Sequence, residues 1–439
     1  MLAQFSQHIN SHFSFLKDKK LLIAISAGID SVVLSHLLHS LKFNVTLAHC
    51  NFQLRGKESD EDEAFVKKLS KDLKAPIFTK SFQTTLYAKE HKLSIQLAAR
   101  ELRYKWFAEV LRINELDFVL TAHHADDDLE TFLINITRGT GLDGLTGIPE
   151  KNGNILRPLL PFSRTQIEKY AKENGIAWRE DQTNLETNYI RNKIRHKIIP
   201  VLKEINPALL ASFKTTLENL KGSRQIINDK ISELSNELVI KDGNELKLDI
   251  DQLNKLSNPK AYLFELLKPY GFTEWNDVSN LLDAQSGKKI LSSTHQLVKD
   301  RKYLLLAEKF TNEKNTSVYK VNTSDIYFDE EDIKMKFTYL KESHAAINNN
   351  NVAFLDLDSL KFPLTVRKWE TGDYFYPLGM KGKKKLSKYF KDEKISILDK
   401  EKIWLLCSED QVAWVVGKRL DHRFRITDKT KNILKIEKL

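Results

Sequence analysis

Residues 121–131, Thr-Ala-His-His-Ala-Asp-Asp-Asp-Leu-Glu-Thr, hold the densest set of reactive side chains in the chain. If a helix begins near Ala125, Asp127 and Glu130 fall three apart on one face, with His123 at its entry. Such a set can accept protons, bind a metal or grip an ammonium group. The absence of HExxH argues against zinc. An acidic first turn also complements a helix dipole. That accounts for Asp126, Asp127 and Asp128 but not for two adjacent histidines at a strand end.

A second stretch, Ile25 to Ser31, reads Ile-Ser-Ala-Gly-Ile-Asp-Ser between two apolar runs. A strand, a small-residue loop and a helix form a common phosphate cradle, because free N–H groups and the helix dipole both favour an anion. The loop has no lysine, so it is not the GxxxxGKS/T type, and it lacks GxGxxG. Ser26 and Ser31 add hydroxyl donors. Asp30 beside phosphates makes sense if Mg²⁺ lies between them.

The elements that position these stretches alternate. Strand signals at 21–26, 44–49, 76–79 and 118–121 are interleaved with helical spacing at 31–41, 59–73, 94–113 and from about 125. Alternation of this kind predicts an α/β fold with a doubly wound parallel sheet, whose ligands sit at the carboxyl ends of the strands. The loops at Ser26, His49 and Ala122 all lie at such ends. Gly139, Gly141, Gly144 and Gly147 cluster in one structured loop. A mainly helical pattern follows from 208, with short strands at 287–310. An Asn-rich stretch at 347–351 reads as a linker, and the remainder is strand-rich. The expected domains are 1–207, 208–346 and 352–439.

The 439 residues carry a formal net charge of +10, which favours an anionic partner, most commonly nucleic acid. No apolar run approaches the length of a membrane span, and no basic stretch precedes Lys17 to suggest a signal peptide. Cys50 and Cys407 stand far apart, which excludes a CxxC pair and a disulfide framework. A cytoplasmic protein is expected.

The loop 26–31 resembles the SGGxDS pyrophosphate loop of the N-type ATP pyrophosphatases, with Ala27 where that family has a second glycine. Six segments narrow the resemblance to the tRNA(Ile)-lysidine synthetase family. They are SAGIDS (26–31), HCNFQLRGKESDEDEAFV (49–66), AARELRY (98–104) and TAHHADDDLETFL with RGTGLDGL (121–145). After these come RPLL (157–160) with DQTNLETNYIRNKIRHKIIP (181–200), and RKWETGDYFYPLGMKGKKKLSKYF (367–390) with WVVGKRLDHRF (414–424). The resemblance implies an ATP-pyrophosphatase domain, then a mainly helical domain and a small strand-rich α+β domain. It implies that ATP adenylates the wobble cytidine of the CAU-anticodon isoleucine tRNA at its C2 oxygen. L-lysine then displaces AMP, forming lysidine. A homodimer is implied as well.

The resemblance assigns ATP to Ser26, Ala27, Gly28, Ile29, Asp30 and Ser31, with His49 and Asn51 on the adenosine side. Asp30 is the expected Mg²⁺ contact. His123 and Arg195 are tied to adenylation, with Arg195 on the phosphates. Asp127 and Glu130 would take a lysine ammonium, and Arg103 would supply or organise the carboxylate site. Free lysine has a pKa near 10.4, so its amine needs a proton acceptor, which the residues leave open among Asp127, Glu130 and His124. The loop 53–59 reads as a candidate lid. The basic MKGKKKLSKYF segment suits RNA phosphates. Two other readings are a cytidine-thiolating relative, which needs a cysteine pair, and a non-catalytic RNA binder with a decayed loop. Ala27 is expected at φ < 0, since an L-residue at positive φ costs about 1–2 kcal/mol, and Gly28 is expected to be the position that uses glycine's freedom.

Overall fold

The computed structural model describes residues 1–180, 190–309, 317–330, 332–341, 349–380 and 382–439. The chain divides into two compact units, Met1–Asn228 and Asp229–Leu439.

The first unit contains α1 (Leu2–His12), β1 (Lys20–Ala24), α2 (Ile29–Ser40), β2 (Asn44–Asn51), α3 (Lys57–Asp72) and β3 (Ile77–Ser81). After these come α4 (Thr84–Glu90), α5 (Ile95–Ile113), β4 (Phe118–Leu120), α6 (Ala125–Thr137), α7 (Leu142–Leu145), β5 (Lys151–Asn152), β6 (Ile155–Leu156) and α8 (Arg164–Glu173). Next are α9 (Ile190–Lys193), a π-helical turn (Ile194–Ile198), α10 (Ile199–Ile205) and α11 (Leu209–Leu238), which runs into the second unit. The sheet order is β3-β2-β1-β4-β6-β5, parallel except for β5.

β1 is central, and Leu21, Leu22 and Ile23 are all fully buried. A strand covered on both faces reads as a continuous apolar run. Its side chains alternate between two cores: Leu21 and Ile23 join Phe5, Val33, Leu37 and Ile167, whereas Leu22 joins Ala48, Trp106, Phe107 and Val110. From β1 the chain winds to β2 and β3 on one side, then returns to β4 on the other. This reversal opens a crevice beyond the carboxyl ends of β1 and β4. A smaller cluster ties α6 to the later helices through Leu129, Ile134, Ile194, Ile199, Phe213 and Leu217. It fixes the backbone on either side of Arg195.

In the second unit the expected helical region carries more strand than its spacing indicated. Val239–Asp242 and Glu245–Asp249 form a hairpin in a five-stranded antiparallel sheet with Tyr303–Glu308, His295–Asp300 and Lys289–Leu291. The two-residue turn is Gly243-Asn244, between the paired Asp242 and Glu245, and Gly243 at φ 58° puts glycine first, an arrangement that suits a tight hairpin. Strand pairing also crosses the Asn-rich stretch. Val318–Val321 pairs with Leu364–Lys368, and Ile333–Leu340 pairs with Ile433–Lys438. Residues 347 and 348 of that stretch lie outside the described residues. The strands read from WLLC and VAWVV are present at Trp404–Ser408 and Gln411–Val415. Among the described residues no helix is long and apolar enough to cross a membrane.

Candidate active site

The loop after β1 folds on Ser26 and on Ser31 in the first turn of α2. Ser26 N donates to Ser31 Oγ at 3.1 Å, the two hydroxyls lie 3.3 Å apart, and Ser31 Oγ donates to Gly28 O at 3.0 Å. Ala27 is fully buried at φ 68°, and its carbonyl accepts Arg179 N at 3.0 Å. Gly28, by contrast, has φ −69° and serves as the N-cap of α2. Both conformational expectations are therefore reversed. The sharp turn from β1 into α2 falls on Ala27, one residue earlier than expected, and a methyl is tolerated there at a cost of about 1–2 kcal/mol. A Cβ on Gly28 would meet only Ser26 Oγ, at 3.4 Å.

The acidic turn of α6 separates into two pairs. Asp126 accepts Lys203 Nζ at 2.7 Å and Arg164 N at 2.8 Å. Burial works against its charge, but these donors outweigh it and hold its pKa low. Asp128 accepts Ile148 N at 2.5 Å, and Gly147 at φ 77° passes so close that a Cβ there would lie 2.6 Å from Asp128 Oδ1. These two carboxylates hold neighbouring chain in place. Asp127 and Glu130 face another way. Arg195 spans them, with Nε 2.5 Å and Nη2 2.9 Å from the Glu130 oxygens and Nη2 3.1 Å from Asp127 Oδ1. Glu130 is 1% exposed. Burial raises its pKa, and the Arg195 bonds oppose that shift. Burial likewise works against the Arg195 charge, but its two carboxylate partners prevail and its pKa is raised.

His124 caps α6. Its Nδ1 accepts Asp127 N at 3.4 Å, and Asp127 Oδ2 accepts His124 N at 3.1 Å. With Nδ1 accepting, Nε2 is the nitrogen that carries a proton. That nitrogen lies 3.7 Å from Asp30 Oδ1 and 3.5 Å from Asp127 Oδ2, so one imidazole joins the two loops. His123 Nδ1 lies 2.9 Å from Thr121 Oγ1. Burial pushes its pKa down to about 4, with Asp127 pulling the other way and Arg157 and Arg191 adding to the fall. The ring is thus neutral near pH 7.

Asp30 Oδ2 accepts Arg164 Nη1 at 2.5 Å, and Arg164 Nε holds Glu168 at 2.8 Å. Asp30 Oδ1 is buried without a hydrogen-bond donor, so it retains acceptor capacity toward a cation. No group of three or more His, Cys, Asp or Glu able to hold a metal occurs among the described residues. One carboxylate beside a phosphate loop nevertheless fits Mg²⁺, which keeps its waters and binds through one or two carboxylates plus phosphates.

His49 donates from Nδ1 to Ile25 O at 3.0 Å, while its buried Nε2 has no partner. It lies beside the loop but within β2, which extends to Asn51, past the strand end expected at 49. Asn51 does not offer its side chain there. Its amide donates to Asp60 and Glu63 and accepts Gln53 N, which anchors α3. Arg103 lies over the Phe52 ring at 5.2 Å, not in the Arg195 cluster. The segment 181–189 lies outside the described residues.

Arg164 and Arg191 were not singled out from the sequence. Arg191 Nη2 donates to Thr131 Oγ1 at 2.8 Å, and its Nε lies 3.4 Å from Glu130. Arg164 did leave a signal. It is the first residue of α8, where the helix dipole disfavours a cation, and the anion that offsets this is Asp30.

A PP-loop domain profile matches residues 1–202, a TilS substrate binding domain profile residues 241–309, and a TilS substrate C-terminal domain profile residues 364–437. Three similar proteins are named tRNA(Ile)-lysidine synthase. The one from Parabacteroides distasonis is 41% identical over 438 residues, covering 99% of each chain. Those from Bacteroides thetaiotaomicron and Caldanaerobacter subterraneus are 39% and 35% identical, covering 98% and 100% of this chain and 97% of each relative. With such identity sustained along its whole length, the chain belongs to the tRNA(Ile)-lysidine synthase family.

Proposed function

We propose that the chain ligates L-lysine to C2 of the wobble cytidine in the CAU-anticodon isoleucine tRNA. The reaction consumes ATP, passes through an adenylated cytidine and releases pyrophosphate and AMP. The modified tRNA then reads AUA instead of AUG, and its identity changes from methionine to isoleucine. The observation that carries this reading is the contact chain Asp30–His124–Asp127–Arg195–Glu130. It joins a phosphate loop to an acidic pocket at adjacent strand ends.

Adenylation places charge on a departing pyrophosphate, where fixed donors act most strongly. The N–H groups at Ala27, Gly28, Ile29 and Ser31, with the Ser26 and Ser31 hydroxyls, suit the phosphates. Asp30 suits Mg²⁺, which when bound would neutralise phosphate charge. His49 suits the adenosine side through its free Nε2. Asn51 supports the same region indirectly, by fixing α3. Arg195 is the cation nearest the acidic pocket and suits the phosphates once released from it. His123, neutral and half-buried, suits a hydrogen-bonding role near the reacting base.

Asp127 and Glu130 suit a lysine ammonium. They are also the remaining proton acceptors for its amine, because His124 spends its lone pair on the helix cap. Arg103 would act on the lysine carboxylate only after leaving Phe52. The segments after residue 207 would hold the tRNA, and we propose a cytoplasmic homodimer. Sulfur transfer fits poorly, since burial pushes the Cys50 thiol up to about 12 and Cys407 up to about 11.

Purified protein with ATP, Mg²⁺ and labelled L-lysine should label a CAU-anticodon isoleucine transcript and release AMP and pyrophosphate. Failure to incorporate lysine, with folded protein and intact tRNA, would sink the proposal.

A further inference from the structure

We propose that Arg195 and the substrate lysine compete for the same two carboxylates, so that the lysine pocket opens as Arg195 moves onto a phosphate. ATP and lysine would then favour each other's binding. This rests on reading Asp127 and Glu130 as the lysine ammonium site.

The geometry leaves no room for both cations at once. Arg195 bonds both oxygens of Glu130 and one oxygen of Asp127. Glu130 is almost fully enclosed, so an incoming ammonium cannot approach it from another side. Arg191 already lies 3.4 Å from Glu130, so an ammonium added beside Arg195 would meet two guanidinium groups in a low-dielectric site. Arg195 must leave before lysine can be held.

Three features make the exchange feasible. The Arg195 side chain is 32% exposed, so one side of its guanidinium can meet an anion. Its backbone is pinned by buried Ile194 and Ile199, so the movement falls to the side chain. The distance is short, because Asp30 and Asp127 flank the same His124 ring at 3.7 and 3.5 Å. Arg191, 3.4 Å from Glu130, remains as a second cation while Arg195 is away. A buried carboxylate stripped of every cationic partner would be strongly disfavoured, and Arg191 prevents that.

Coupling between two ligands is reciprocal. A single exchange residue therefore predicts equal effects of ATP on lysine and of lysine on ATP. It would also keep the amine pocket shut until a nucleotide is in place.

Equilibrium dialysis of L-lysine tests this, with and without α,β-methylene ATP and Mg²⁺, on the full chain and on Arg195→Gln. In the unaltered protein the nucleotide analogue should tighten lysine binding about tenfold. Arg195→Gln without analogue should bind lysine about as tightly as the unaltered protein does with it. The analogue should then shift the variant by less than about twofold. If Arg195→Gln does not fold, Arg195→Lys takes its place. Its ammonium cannot span both carboxylates, so the coupling should shrink in the same direction. Unchanged or weakened lysine binding on adding the analogue to the unaltered protein, with lysine incorporation intact, overturns the exchange alone. Absence of lysine binding in every arm overturns the lysine reading together with it.

Discussion

The loops that follow β1 and β4 sit side by side, yet they present chemistry in different ways. After β1, residues 25–31 offer main-chain N–H groups and two hydroxyls, and their geometry depends on one buried alanine at φ 68°. After β4, the site is made of side chains: His124 caps the helix, and Asp127 and Glu130 are spanned by Arg195. Backbone donors survive most substitutions that preserve conformation. Side-chain charges do not survive neutralisation. The β1 loop should therefore be sensitive to shape and the β4 loop to charge.

The sharpest way to break that contrast is to neutralise Asp127. Asp127→Asn keeps the volume and the helix cap but halves the charge facing Arg195. Turnover in the lysine-incorporation assay should fall by about 10³-fold, with tRNA affinity within about threefold in a filter-binding measurement. Asp30→Asn should fall similarly. Ser26→Ala in the β1 loop should lose only about tenfold, because the N–H groups remain. Equal losses for Ser26→Ala and Asp127→Asn would remove the distinction.

Ala27 tests the shape side. Ala27→Val places a β-branched side chain at positive φ in a filled core, which should cost about 2–4 kcal/mol and be read as a lower urea midpoint. Ala27→Gly relieves the backbone and should gain up to about 1 kcal/mol. A stabilising valine, or a glycine that destabilises by more than about 1 kcal/mol, would show that the methyl's packing outweighs the dihedral.

The same contrast explains what could be read in advance. Parallel strands at 21–26, 44–49 and 118–121 were legible because buried strands are continuous apolar runs, and α6 because its first turn is acidic. Residue type and helical spacing pointed to His123, Asp127 and Glu130, and the family resemblance pointed to Arg195. Which carboxylate served which task did not follow, because Asp126 and Asp128 find their partners in Lys203 and Ile148, far along the chain. Arg164 was missed for the same reason: 134 positions separate it from Asp30. Ala27 was misjudged because a dihedral angle leaves little trace in residue identity when the position tolerates a methyl. The hairpin from Val239 was obscured by the long helical pattern running into it.

Gly147 refines the division within the β4 side. It brings the chain against Asp128, which anchors the loop and has no partner in the Arg195 cluster. Gly147→Ala combines positive φ with a Cβ 2.6 Å from a carboxylate oxygen. It should cost about 2–3 kcal/mol, seen as a fall in Tm of roughly 5–10 °C. Turnover per folded molecule should stay within about threefold below the transition. A collapse in turnover at unchanged Tm would move Asp128 from anchoring into the chemistry.

The smallest effect concerns protons on the β4 loop. Burial depresses the His123 pKa to about 4, against about 6.5 in an unfolded chain. The unfolded state therefore binds this proton first as pH falls. The stabilisation from keeping the ring neutral is fully present above pH 6.5 and is lost progressively toward pH 4. Asp128 and Glu130 carry the opposite sign. Burial raises both, so their contribution is present at low pH and lost as pH rises through their folded values. Those two groups are common to the unaltered protein and to His123→Gln, so a difference profile isolates the histidine. Urea unfolding between pH 7 and 4.5 should show the unaltered protein losing stability more steeply than His123→Gln. Parallel profiles would mean that the ring takes up its proton at the same pH folded and unfolded, and that the β4 loop is open enough to hydrate it.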